Sequence, residues 1–260
     1  MNNKYWLEAK NIYAFKNGHE VVKNLSLKLK KEEMILILGP NGSGKSSIVD
    51  LINRNIYPIQ NKDSYLKILG KELIDIWELR KKISTVNNDI KLRINPELRV
   101  LDVIISGLYG KYCYEENKSN NDFIVANDLI EKLSIENIRE RKFGYLSDGE
   151  KQITIIARAI INNPEILILD EPVINLDLRS KYFLINKIKA LSKLNISILC
   201  ITHDITIITK DYNRVIFLKN KKIILDGKPS ENMKSEYISN LFDVDIEIIE
   251  NKNSWEVYRK

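Results

Sequence analysis

Cysteine, histidine and glycine are all scarce in this chain of 260 residues. The two cysteines, Cys113 and Cys200, and the two histidines, His19 and His203, are too few and too scattered for a zinc ribbon or a disulfide framework. We therefore expect both thiols to be reduced. Cys200 lies inside the apolar segment ISILCIT, and we expect it to fill space in the core.

Long apolar runs are also missing. No run approaches the roughly 18–20 residues that a membrane-spanning helix needs, and the opening segment MNNKYWLEAKN lacks the apolar stretch of a secretory signal. We therefore expect no transmembrane segment and a cytoplasmic location. Neither sign of charge dominates: 41 Lys and Arg against 35 Asp and Glu leave +6, with both signs interspersed, so we expect no direct nucleic-acid partner.

The opening third of the chain predicts strands and one hairpin. The segments YWLEAKNIYAF and EVVKNLSLKLK flank Asn17-Gly18, a strong signal for a type I′ turn. MILIL (34–38) has the continuous apolar run of a buried parallel strand, and SSIVDLIN (46–53) has helical spacing.

Helices and strands alternate in the second half. After a mainly helical stretch, a helix is predicted at about 150–162, a buried strand at 165–170, a helix at about 178–194 and a strand at 196–202. The hairpin RVIFLKN/KKIILDG follows. This alternation predicts an α/β fold with a mainly parallel sheet.

We interpret the chain as one domain with three parts. Residues 1–92 and 150–229 form an α/β core that begins with an antiparallel β region. Residues 93–149 form a helical insertion, in which VLDVIISGLYG and NDFIVANDLIEKL are the best helices. Residues 230–260 form a C-terminal extension with a short helix and two strands, IEIIE and WEVYR.

Three of the ten glycines fall within six residues, in a pattern G-x-x-x-x-G-K-[ST] at residues 39–46, here called the phosphate loop. It follows a buried strand and precedes a helix, which is the context that a phosphate-binding motif requires. Glycines let backbone N–H groups point inward, and the helix adds its positive end. Lys45 can neutralise the β- and γ-phosphates, and the hydroxyl of Ser46 can bind Mg²⁺. A glycine-rich turn without a ligand is the alternative. The predicted ATP-binding residues here are Gly39, Pro40, Asn41, Gly42, Ser43, Gly44, Lys45, Ser46 and Ser47.

Polar residues follow two other buried strands. Asp170 and Glu171 end EILILD-E, at the strand end where parallel sheets bind ligands. Asp170 can hold Mg²⁺, and Glu171 can polarise a water for attack on the γ-phosphate. A helix cap or a turn before Pro172 is the alternative. His203 follows ISILCIT in the same way and can contact the γ-phosphate.

The segment Leu146-Ser147-Asp148-Gly149-Glu150-Lys151-Gln152, here called the signature segment, resembles the LSGGQ signature of ATP-binding cassette (ABC) ATPases. Asp replaces one Gly and Glu replaces the Gln. The resemblance covers nearly the whole chain and implies a P-loop NTPase (RecA-like) core with a helical subdomain. It also implies that two cassettes pair head to tail, so that Ser147, Gly149 and Glu150 bind the ATP of the partner.

Further roles follow from the same resemblance. INLD resembles the family's D-loop, in which Asp177 bridges the two cassettes. Phe15 is placed where the family has an aromatic residue that stacks on adenine. Tyr13 is its rival, and a core aromatic at Phe15 is the alternative.

One family residue is missing. The family carries a Gln that touches Mg²⁺ and the attacking water, and the matching stretch ISTVNNDIKLRINPELRVLDV contains none. Asn88 is the best match and keeps the amide, one methylene shorter. Lys91 matches under a shifted register, although an ammonium group cannot ligate Mg²⁺.

The resemblance implies the ATP-hydrolysing subunit of an ABC transporter, similar to the importers of the metal-chelate, cobalamin and molybdate group. ATP and Mg²⁺ are the implied cofactors. The implied partners are a second cassette, expected to be an identical chain, and an integral-membrane permease that holds the chain at the inner face of the cell membrane. Two alternatives are an ABC ATPase without a permease that acts on nucleic acid or ribosomes, and a regulatory ATP-binding protein of low turnover.

Overall fold

The computed structural model describes residues 4–59, 61–112 and 117–259, so Cys113 lies outside the described residues. The strands are β1 (Tyr5–Lys16), β2 (His19–Lys30), β3 (Met34–Leu38), β4 (Tyr65–Ile68), β5 (Ile83–Val86), β6 (Ile166–Asp170), β7 (Ser197–Thr202), β8 (Arg214–Lys219), β9 (Lys222–Gly227), β10 (Ile246–Glu250) and β11 (Trp255–Arg259). The α-helices are α1 (Lys45–Ile52), α2 (Ile76–Lys82), α3 (Ile90–Arg93), α4 (Val100–Ile105), α5 (Asn120–Lys132), α6 (Asp148–Ile160), α7 (Leu178–Leu191), α8 (Pro229–Asn232) and α9 (Ser235–Phe242). Single 3-10 turns cover Glu136–Ile138, Phe143–Tyr145, Ser192–Leu194 and Ile205–Ile207.

The chain divides into two compact units. The first contains residues 1–80 and 197–260, and the second contains residues 81–196. The second unit is larger than the predicted insertion at 93–149, because it also holds β5, β6 and α7. The three-part division made from the sequence stays a prediction.

The first unit begins with a three-stranded antiparallel sheet in the order β2-β1-β4. Asn17 and Gly18 connect β1 to β2 with φ values of 51° and 77°. Two successive positive φ angles are the mark of a type I′ turn, which matches the right-handed twist of the flanking strands. The predicted hairpin is therefore confirmed.

The centre of the first unit is strand β3, whose five residues are all buried. It pairs in parallel with β7 on one side and β8 on the other, and β9 then pairs antiparallel with β8. Cys200 in β7 is fully buried, as expected of a core residue. A strand that is apolar throughout can be buried on both faces, which explains the unbroken run MILIL.

The C-terminal part of the first unit contains α8, α9 and the antiparallel hairpin β10–β11, so the extension has two short helices where the sequence predicted one. The Lys210 amide N–H donates to Asn253 O over 3.0 Å, and Thr209 forms an isolated bridge with Ser254. These contacts attach the hairpin to the segment that follows β7.

The second unit pairs β5 and β6 in parallel and packs helices α4, α6 and α7 together. Helix α4 ends at Ile105, earlier than the apolar pattern suggests, and Gly107 follows it. A Cβ on Gly107 would lie 2.2 Å from Arg158 O, so the close approach of the two segments requires glycine here. Asp102, almost fully buried, pairs with Lys118 and Arg99.

Both units combine parallel strands with helices, which confirms the predicted α/β class. In the described ranges, the helices are too short and too polar for any of them to cross a bilayer.

Candidate nucleotide-binding site

The phosphate loop connects β3 to α1 in the first unit. A Cβ on Gly39 would lie 2.1 Å from Leu218 O, so this position accepts only glycine. Gly42 and Gly44 have φ values of 78° and 101°, a region that side chains disfavour. The sequence pattern is therefore explained by backbone geometry at three positions, and the loop can turn tightly into the helix.

Two polar side chains of the phosphate loop, those of Ser43 and Lys45, are buried within it, whereas Asn41 and Ser46 are exposed. Lys45 is only 5% exposed, and its ammonium group donates to Gly39 O and Pro40 O over 2.8 and 3.0 Å. The Ser43 hydroxyl is buried and has no hydrogen-bond partner among the described residues. A buried hydroxyl without a partner is costly, and a bound anion would accept its hydrogen bond. The loop thus holds a cation and an unsatisfied hydroxyl where backbone N–H groups can bind phosphate.

His203 lies directly after β7, beside the start of the phosphate loop. Leu38 pairs with Thr202, and the Gly39 N–H donates to Thr202 O over 3.3 Å. The Asp204 N–H donates to Thr202 Oγ1 over 3.0 Å and fixes the chain around the histidine. The structure therefore brings His203 and the phosphate loop together, as the sequence predicted for two strand ends of one parallel sheet.

Phe15 lies at the end of β1, close to the helix that follows the phosphate loop. The next residue, Lys16, pairs with Asp50 of α1 over 2.7 Å, and Val21 O lies 3.2 Å from where a Cβ on Gly44 would be. Phe15 is 45% exposed, so it is not a core aromatic, and Tyr13 is less exposed. An exposed aromatic beside the loop can stack on a base, and the stacking role of Phe15 stays a prediction.

Asp170 and Glu171 end β6 in the second unit. The four residues before Asp170 are all buried, so the strand presents its acidic pair at its carboxyl end. Glu171 has a φ of 52°. Left-handed backbone is uncommon for a residue that is not glycine, and such strain gathers at functional sites. This conformation sets the direction in which the chain leaves the strand.

Asn88 and Lys91 lie after β5, in the same unit. Asn88 O accepts the Lys91 N–H over 3.3 Å in the turn that begins α3. Burial lowers the pKa of Lys91, and the charge of Asp148 partly restores it. Lys91 therefore lies in the electrostatic neighbourhood of the signature segment, while Asn88 is the second residue after β5. Its match to the family's glutamine stays a prediction.

The signature segment begins α6 and is folded around its own first turn. The Ser147 hydroxyl accepts the Glu150 N–H over 3.3 Å, and Glu150 Oε2 accepts the Ser147 N–H over 2.8 Å. This reciprocal pair is a capping box. A Cβ on Gly149 would lie 2.9 Å from Ser180 Cβ, so glycine lets the starts of α6 and α7 approach closely.

Arg141 is the residue near the signature segment that the sequence analysis missed. Its Nη1 donates to Glu150 Oε1 over 2.8 Å, and its Nη2 donates to Tyr145 O over 2.9 Å. Burial opposes ionisation of Glu150, but hydrogen bonds from Ser147 and the charge of Arg141 outweigh it, so the pKa of Glu150 is lowered. The acidic substitution in the signature was the signal that a cation is needed nearby.

Asp177 precedes α7 and caps it. Its carboxylate accepts the Ser180 N–H over 2.8 Å and the Ser180 hydroxyl over 3.0 Å. These bonds, led by the one from the Ser180 N–H, lower the pKa of Asp177. Asp177 lines a cleft of about 570 Å³ together with Arg141, Ser147 and Glu150. The structure thus places the predicted bridging residue and the signature serine at one cleft of the second unit.

A glycine-shaped loop between a buried parallel strand and a helix, with its lysine and a histidine directly after the adjacent strand, defines a P-loop nucleotide-binding protein. The family profile described as "ABC transporter" matches residues 22–174, which is more than half of the chain. The chain therefore belongs to the ABC transporter family and is an ATP-hydrolysing subunit of such a transporter.

Two curated relatives match over nearly the whole chain. An uncharacterized ABC transporter ATP-binding protein, YlmA of Bacillus subtilis, is 29% identical over 95% of this chain and 94% of its own length. The zinc import ATP-binding protein ZnuC of Ehrlichia canis is 29% identical over 92% of this chain and 90% of its own. The predicted family is confirmed.

Two solved structures are similar in fold. CbiO1 from Clostridium perfringens, part of the transporter complex CbiONQ, has a TM-score of 0.79 at 24% identity, over 92% of this chain and 94% of its own. A dimeric bacterial ABC transporter cassette has a TM-score of 0.68 at 27% identity, over 85% of this chain and 98% of its own. The predicted fold class is therefore confirmed.

Proposed function

We propose that the phosphate loop binds the triphosphate of ATP and that Phe15 stacks on its adenine. The observation that carries this proposal is the loop itself, in which Gly39 is required by Leu218 O and the ammonium group of Lys45 binds the loop's own carbonyls. An incoming phosphate attracts the Lys45 ammonium more strongly than a neutral carbonyl does, because the new hydrogen bonds join opposite charges.

Mg²⁺ fits the oxygen donors that the family pattern assigns to it. Ser46 supplies a hydroxyl at the start of α1, Asp170 a carboxylate at the end of β6, and Asn88 an amide oxygen after β5. These are hard ligands of the kind that Mg²⁺ prefers. When bound, the ion neutralises negative charge on the phosphates.

Glu171 acts as the general base in this proposal. Its carboxylate accepts a proton from the attacking water, which forms a bond to the γ-phosphorus as the bond to the β–γ bridging oxygen breaks. His203 contacts the γ-phosphate and holds it in place. ADP and inorganic phosphate leave as products.

A second copy of the chain completes the site. The Ser147 hydroxyl and the first N–H groups of α6 bind the γ-phosphate of the ATP on the partner, since a helix N-terminus is a ready anion site. Asp177 then bridges the two copies. The dimeric cassette among the similar structures supports this arrangement.

The test of this chemistry is Glu171→Gln, with Glu165→Gln as a matched control on the same strand segment. Glu165 pairs with Lys82 over 3.1 Å and is placed in no part of the site. We expect Glu171→Gln to reduce steady ATP hydrolysis by about a hundredfold or more, in the range of a lost general base, while ATP binding persists. Unchanged hydrolysis in Glu171→Gln would refute the role.

A multi-span permease is the proposed membrane partner, and it holds the chain at the inner face of the cell membrane. The zinc import relative and the resemblance to metal-chelate, cobalamin and molybdate importers support a metal-containing cargo. Affinity purification of the chain from gently solubilised membranes tests the partner. We expect one multi-span protein in stoichiometric amount. Ribosomal proteins in its place would favour the alternative of an ABC ATPase without a permease.

A further inference from the structure

The start of α6 carries two acidic residues where the proposed function requires an anion to bind. Asp148 and Glu150 both lie in the first turn of the helix. Carboxylates stabilise a helix N-terminus when nothing else binds there, but they repel an incoming triphosphate at short range. A signature segment with this composition therefore needs a compensating cation.

Arg141 is placed to be that cation. Its guanidinium contacts one carboxylate oxygen of Glu150, and the other oxygen accepts the Ser147 N–H. The other terminal nitrogen, Nη2, donates a hydrogen bond to Tyr145 O, at the end of the 3-10 turn that leads into the signature segment. Both terminal nitrogens of the Arg141 guanidinium are therefore hydrogen-bonded, and its positive charge lies in the same cleft as Ser147.

We propose that Arg141 is a positioning residue for ATP binding in trans: it neutralises and orients Glu150, so that Ser147 can receive the γ-phosphate of the partner's ATP. This proposal rests on the composite site described above. It deepens that site by explaining how the negative charge of Glu150 is accommodated beside a bound phosphate.

Dimerisation of the Glu171→Gln chain at increasing ATP concentration tests the proposal, followed by light scattering after gel filtration. Adding Arg141→Ala is expected to raise the half-maximal ATP concentration about tenfold at low salt, and the effect should shrink as salt screens the charge. Arg141→Lys, which keeps the charge, should raise the half-maximal ATP concentration less than Arg141→Ala does. Arg139→Ala is the control, because Arg139 is equally exposed and pairs with Glu140, outside the cleft.

Rescue separates the electrostatic role from a merely structural one. Glu150→Gln keeps the oxygen that caps Ser147 but removes the charge, so Arg141→Ala with Glu150→Gln should recover the wild-type ATP dependence. A double variant as impaired as Arg141→Ala alone, or no effect of Arg141→Ala, would overturn the proposal.

The affinity of the monomer for ATP, measured by calorimetry, should be the same in all these variants, which also shows that they are folded. A parent chain that binds ATP but never dimerises would refute the composite site itself, and with it the role of Arg141.

Discussion

The phosphate loop and the signature segment both lead into helices that can bind anions, but they are built in opposite ways. The first turn of α1 contains no acidic residue, and glycines shape the backbone before it. The first turn of α6 contains two acids, and its cap is satisfied by Ser147 and Glu150. The phosphate loop is therefore prepared for a ligand within one chain. The first turn of the signature segment is stabilised by its own capping box, and its proposed phosphate belongs to a second copy of the chain.

The largest expected difference between the two regions concerns ATP binding by a single chain. Lys45→Ala should weaken ATP binding about a hundredfold, because it removes charge-assisted hydrogen bonds to the phosphates, each worth about 1.5–3 kcal/mol. Ser147→Ala should leave the affinity of the monomer unchanged. Calorimetry with the monomeric chain measures both. A similar loss in the two variants would mean that the signature segment binds ATP within its own chain.

The two glycine contacts provide a second comparison. Gly39→Ala places a Cβ 2.1 Å from a backbone oxygen, whereas Gly149→Ala places one 2.9 Å from a serine side chain. Overpacking costs about 1–3 kcal/mol, and we expect Gly39→Ala at the upper end and Gly149→Ala at the lower end. Urea unfolding gives both values. An equal or larger loss of unfolding free energy in Gly149→Ala would show that the backbone at Leu218 can move to accommodate a Cβ at little cost.

The smallest expected effect is a pH dependence at the signature segment. The pKa of Glu150 is lower in the folded chain than the usual 4.5. Its ionised form therefore contributes stability above pH 4.5, and that contribution is lost as the pH falls through the folded pKa. Between pH 6 and pH 3, the free energy of unfolding should fall more in the wild-type chain than in Glu150→Gln. Parallel curves in urea unfolding would contradict the pairing with Arg141.

Features with a local physical cause could be predicted from the sequence. Asn17-Gly18 adopts the positive φ angles that its turn requires, and MILIL is buried along its whole length. Both signals depend on a few adjacent residues. The phosphate loop was predictable for the same reason, because the local backbone geometry requires its glycines.

Other features depend on contacts that no local pattern encodes. The short strand β5 contains Ser84 and Thr85 and pairs with β6, more than 80 residues later. Arg141 reaches Glu150 because the 3-10 turn at Phe143–Tyr145 folds the chain back. The chain has many basic side chains, and the sequence could not indicate which of them pairs with Glu150.

We expect the phosphate loop of one copy and the signature segment of the other to form one ATP site. Mixing Ser147→Arg chains with Lys45→Ala chains tests it most directly. Each variant alone should be inactive, because both of its sites carry a defect. A mixed dimer contains one intact site, and we expect ATP hydrolysis to recover on mixing. A mixture as inactive as its two components would contradict the account.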